Sequence, residues 1–175
     1  SGFTKADYAQ HIMELKKKIP SADFAVVIEP PFVVIGDEGL ETVQFRAEET
    51  VRWAVTRLKA AYFAKDPTHI IDIWLFKNKQ SYEKHTHSIF KDEPTTPFGY
   101  SSEEHQALIM NIATGGGTLV HEMVHPFMDA DFPACPAWFN EGLASLYEQS
   151  SGQGDEIVGL ATAYLRQSQF AQALE

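Results

Sequence analysis

A chain of 175 residues, 44% of them hydrophobic, has the length of one domain and enough apolar content to bury a core, which excludes a disordered chain. Fourteen Lys and Arg against 24 Asp and Glu leave a formal charge of −10 spread along the chain, which argues against nucleic acid or an anionic membrane as partner. No apolar run approaches the ~20 residues of a membrane-spanning helix. The single cysteine, Cys135, forms no intrachain disulfide and reads as an ordinary buried thiol.

Ser1-Gly2 reads as a cloning remnant on a trimmed protein, so a removed upstream signal and a secreted or cell-envelope location are compatible with the chain, as is a cytoplasmic one. Lys5 to Ile19 reads as an amphipathic helix with Tyr8, Ile12, Leu15 and Ile19 on one face and Pro20 as its stop. Phe24 to Ile28 and Phe32 to Ile35 are β-rich runs around Glu29-Pro30-Pro31, the pattern of a hairpin or bent strand. Beyond the turn at Gly36 to Gly39, apolar spacings of three and four predict a long helix from Glu41 to Ala64.

Ile70 to Phe76 is nearly all apolar and predicts a central strand. Asn78 is placed to cap a helix reaching about Phe90. Within it, His85 and His87 lie two apart, so they point to different sides and read as solvated surface. Lys91 to Pro97 is a loop. Phe98 to Tyr100 and Gln106 to Ile112 then read as short strands around Ser101-Ser102-Glu103-Glu104. Gly115-Gly116-Gly117 leads into a further helix, with Thr114 or Thr118 as its cap. These glycines read either as a flexible lead or as a place where substrate approaches the backbone. A last amphipathic helix is predicted from Glu156 to Leu174.

The chemistry concentrates in His121-Glu122-Met123-Val124-His125. Residues four apart share one helical face, so both imidazoles can address one metal ion, and Zn²⁺ accepts such nitrogen ligands in a tetrahedral site. Glu122 leans beside that ion, where it can take a proton from water. A catalytic zinc site needs a third protein ligand, and Glu141, sixteen positions after His125, is the best candidate. The gap suffices to finish one helix, turn between Asp129 and Pro136, and start a second helix running back alongside. Pro126, directly after the second His, is expected to kink or end the first helix.

His121-Glu122-x-x-His125 followed by Trp138-x-Asn140-Glu141-Gly142-x-Ala144 resembles the gluzincin metallopeptidases, in particular their peptidase MA-like group. The resemblance covers roughly Phe32 to Tyr147 in order and is motif-specific between Thr118 and Leu146. It implies an α+β, zincin-like fold: a twisted mixed β-sheet with an edge strand, packed against helices on one side, and by length the chain forms a single such domain over 1–175. It implies one zinc per chain on His121, His125 and Glu141. It implies a peptidase in which Glu122 is the general base toward a zinc-bound water. The strand before the motif helix is commonly a substrate-binding edge in this family, which points to Ala107, Ile109 and Asn111. Asp129, Asp131 and Asn140 are candidates to orient the His ligands. Tyr147, Tyr164 and His105, with Tyr100, are candidates to donate to the charge that builds in the transition state. The partner implied is a peptide or protein substrate. The alternatives are a zinc-binding domain that no longer cleaves and serves as a structural or interaction module, or a latent enzyme awaiting activation.

Overall fold

The computed structural model describes residues 2–94 and 96–148, together with the backbone of two short strands, Ser151–Gln153 and Glu156–Val158. A five-stranded mixed sheet runs through the molecule in the order β1-β2-β3-β5-β4. Its strands are β1 (Ala25–Glu29), β2 (Phe32–Gly36), β3 (Ile71–Phe76), β4 (Gly99–Ser102) and β5 (Ala107–Asn111). β1 pairs antiparallel with β2 across the Pro30-Pro31 turn, as the β-rich runs predicted. β2, β3 and β5 are parallel, and β4 returns antiparallel on β5. Parallel neighbours need crossover connections, and between β2 and β3 helices α2 (Leu40–Arg46) and α3 (Trp53–Ala61) supply one. The stretch between them, Ala47–Arg52, is π-helical, and Val43, Ala47, Val51, Ala54 and Leu58 all turn inward.

Every residue of β3 is buried, which places it at the centre of the sheet as its apolar run predicted. Alternation along the strands sends side chains to both faces. Phe32, Val34, Ile73, Leu75 and Leu108 meet α2, α3, α5 (Gly117–Asp131) and α6 (Ala137–Glu148). Val33, Ile35, Trp74, Phe76 and Ile109 meet α1 (Lys5–Leu15) and α4 (Lys79–His85). Helices thus cover both faces, a correction to the expectation of one-sided packing: strands buried throughout have no face left for water. α1 is shorter than its periodicity suggested. Thr4 and Asp7 form a reciprocal capping box at its start, and on its far side His11 Nε2 reaches the buried Asp72 of β3 at 2.6 Å. On edge strand β1, Arg52 grips buried Glu29 with two hydrogen bonds of 2.8 and 2.7 Å.

Asn78 caps α4 through Ser81 N as expected. His85 departs from its solvated reading: it stacks on Phe76 and meets Phe24 edge-on, and burial lowers its pKa. His87 is exposed, 3.2 Å from Glu93. Glu156–Val158 pairs antiparallel with Ser151–Gln153, so the helix predicted from Glu156 does not begin there; the rest of that segment lies outside the described residues. Among the described residues no helix is long and apolar enough to cross a membrane.

Candidate metal centre

The motif helix α5 starts without a side-chain cap, so neither Thr114 nor Thr118 acts as one; Thr114 Oγ1 instead donates to Asn111 O. Backbone conformation requires glycine at position 115 and packing requires it at 117. Gly115 takes φ +106°, and a Cβ on Gly117 would stand 2.3 Å from the Glu148 carbonyl oxygen at the end of α6. The start of α5 therefore touches the end of α6, while His125, further along α5, meets Asn140 near the start of α6. The two helices pack antiparallel. Pro126 does not end α5, which continues to Asp131. Its ring removes one helical donor, but Phe127 and Met128 beyond it are fully buried, and that burial outweighs the lost bond. The chain turns at residues 132–136 instead, and α6 begins at Ala137. Cys135 in this turn is half-buried and packs against the core.

This pairing brings His121, His125 and Glu141 together, with ligand atoms all within 4.8 Å of one another. His121 Nε2 lies 3.4 Å from Glu141 Oε2, and His125 Nε2 lies 3.8 Å from Glu141 Oε1. His125 Nδ1 is 2.8 Å from Asn140 Oδ1, a carbonyl oxygen, so the ring carries its proton on Nδ1 and turns a free Nε2 toward the triad. His121 Nδ1 is buried without a hydrogen-bond partner, and Glu148 Oε2 is the carboxylate facing it, at 3.7 Å. Two imidazole nitrogens and one carboxylate converging on one point are the donor set of a divalent transition-metal site. The residues fit such an ion. The Glu141 side chain is 63% exposed, against 16% and 18% for the two His, so the centre opens on the α6 side.

Glu122 lines the same cleft of ≈ 720 Å³. Burial pushes its carboxyl above the ordinary range; the neighbouring His125 and His121 pull it back, and Glu141 and Glu148 add to the rise. The cleft is bounded by α5, the start of α6, Pro67 to His69 before β3, and the β4–β5 hairpin.

Several expected site residues lie elsewhere. Ala107, Ile109 and Asn111 are not on an edge, and of the three only Ala107 lines the cleft. The turn at Glu103–Gln106 folds β4 back onto β5, which sits between β3 and β4, and the edge is β4 itself. Ile109 faces the far side of the sheet with Trp74, and Asn111 Nδ2 donates to Pro97 O. Asp131 accepts from the Ala64 and Lys65 amides of the loop after α3 and is taken up there. Asp129 lines the cleft without contacting either His ligand. Tyr147 is buried in the core against Tyr62, with ring centroids 5.9 Å apart, so it does not face the triad. His105 packs on Phe90 across the sheet, and Tyr100 donates to Asp92. Tyr164 lies outside the described residues.

Two residues were missed. Glu148 stands seven positions after Glu141, two turns along the same face, a spacing visible in the sequence. His69 lines the cleft from a loop far from the motif, with Nδ1 3.3 Å from Thr68 Oγ1, and no local pattern marks it.

Fold and site together define a mixed α+β protein with a two-histidine, one-carboxylate triad that could hold a metal ion, beside a sheet edge. No protein family, curated protein or solved structure was found to match the chain.

Proposed function

We propose that the protein is a zinc-dependent peptidase of the gluzincin type. The observation that carries this reading is the convergence of His121, His125 and Glu141 in one cleft with a desolvated carboxyl, Glu122, that ligates nothing among the described residues. A residue kept only for metal binding has no need of that carboxyl.

His121, His125 and Glu141 would hold the ion. When bound, zinc supplies Lewis acidity that polarises a carbonyl and acidifies water. Glu122 would remove the proton of the attacking water and hand it to the leaving amine. Asn140 keeps the His125 ring from turning, which preserves the ligand geometry between turnovers. The free edge of β4, with Ser101 and Ser102 at the cleft, suits an extended peptide added as a further strand. Negative charge building on the carbonyl oxygen needs a donor, and His69 has the chemistry and the exposure for that role.

Metal analysis and turnover test this together. About one zinc per chain, lost in His121→Ala, with hydrolysis of an unbiased peptide library abolished in Glu122→Gln while its zinc remains, is the expected result. Stoichiometric zinc with no hydrolysis by the native chain would instead leave a metal-binding module.

A further inference from the structure

Four carboxylates line the cleft, Glu103, Glu122, Asp129 and Glu141, and no Lys or Arg among the described residues lines it. Glu122 and Glu141 are occupied by the base and ligand roles. Asp129 and Glu103 are not. Asp129 stands four residues after His125 and eight after His121, so it continues the metal-bearing face of α5 by one turn, about 6 Å along the axis. It is exposed, and it has no hydrogen bond or ion pair among the described residues, whereas Asp131 two positions on is taken up by two backbone amides. Glu103, also exposed and unpaired, sits in the turn at the end of edge strand β4. Ile71, Ala107 and Leu108 line the same cleft with apolar surface.

An apolar floor with free carboxylates at its margins fits a side chain that has a methylene stem and a cationic head. An acidic side chain would meet only like charge. The two carboxylates do not belong to a second metal group: among the described residues His121, His125 and Glu141 form the group whose ligand atoms converge. An organic cation is therefore the better occupant. Resting on the peptidase reading above, we propose that the cleft selects peptides carrying Lys or Arg next to the scissile bond, with Asp129 as the main counter-charge and Glu103 as the second.

The test uses short fluorogenic peptides identical except for Lys, norleucine or Glu at each position flanking the cleaved bond. Their kcat/KM is measured with the zinc-loaded protein, and their binding to zinc-loaded Glu122→Gln is followed by fluorescence anisotropy. At one flanking position Lys should exceed norleucine about tenfold or more, the strength of a charge-assisted hydrogen bond. That ratio should shrink as salt is raised. Asp129→Asn should bring it toward one, Glu103→Gln should lower it, and Asp129→Lys should turn the preference toward Glu.

Cleavage with equal efficiency for Lys and norleucine, or a Lys preference that both neutral variants retain, would overturn the charge selection and leave the hydrolase standing. Absence of cleavage, with Asp129-dependent binding of the Lys peptide to Glu122→Gln, supports the charge selection and sinks the peptidase reading. Neither cleavage nor binding overturns both.

Discussion

His121 and His125 differ in how their outer nitrogens are held, and the difference has a measurable consequence. Asn140 holds the His125 ring at 2.8 Å, whereas His121 faces Glu148 at 3.7 Å, longer than a hydrogen bond. A ligand imidazole whose second nitrogen meets a carboxylate binds metal more tightly, and losing such a partner typically costs about 10- to 100-fold in affinity. Glu148→Ala should weaken zinc binding by that order in a competition titration against a chromophoric chelator, with circular dichroism unchanged. Glu148→Gln should recover part of the loss, because an amide oxygen can face Nδ1 from the same place as the carboxylate. Unchanged affinity in both variants would mean that Glu148 does not orient His121. At this scale the ligands were legible because an i, i+4 pair on a helix admits one geometry. Asn140 was legible as Glu141's neighbour. His69 was not, since only the fold brings the loop before β3 to the motif helix.

The motif elements work as a helical pair whose contact is fixed by a glycine. A Cβ at position 117 would stand 2.3 Å from the Glu148 carbonyl oxygen, far inside van der Waals contact, and a backbone oxygen cannot swing aside as a side chain can. Gly117→Ala would ordinarily strengthen a helix by up to ~1 kcal/mol. Here the overpacking term, about 1–3 kcal/mol, should win and the variant should be less stable in urea denaturation. Its zinc affinity should also fall, because the displaced end of α6 carries Glu148. A variant as stable as the native chain would show that α5 and α6 are not locked at that point. The triple glycine was visible in the sequence, but its purpose was not: it read as flexibility or substrate access, and what settles it is a residue 31 positions downstream. Of the two outcomes expected at Pro126, the ending of the helix does not occur, since that local rule lost to the burial of Phe127 and Met128. The β5 edge failed because it was carried over from the family resemblance: the two short strands read around Ser101 to Glu104 do pair antiparallel, and the earlier one, β4, takes the edge.

Across the whole molecule, the candidate metal centre joins two helices while the apolar core joins every layer, and removing a bound metal should separate the two contributions. One face of the sheet is buried by α1 and α4 and the other by α2, α3, α5 and α6; α5 puts six buried apolar residues into that core, α6 only Ala144 and Tyr147, and the triad lies on α5 and α6 alone. The metal would tie α5 to α6 and nothing else, so its binding energy adds to the stability of that pair through linkage. With free zinc about a thousandfold above its Kd the gain is about 4 kcal/mol. Chelation should therefore lower Tm, and zinc, added back, should restore it. In hydrogen exchange the loss of protection should concentrate in α6 and the turn at residues 132–136. Amides of β2, β3 and β5 should keep most of theirs, because opening them requires the apolar core to come apart. Uniform loss over the sheet would mean that the centre is part of the core's cooperative unit. A Tm and an exchange pattern indifferent to chelator and to zinc would mean that the triad, however well its three ligands converge, holds no metal under those conditions. The peptidase reading would then fall with it, while the α+β fold would stand.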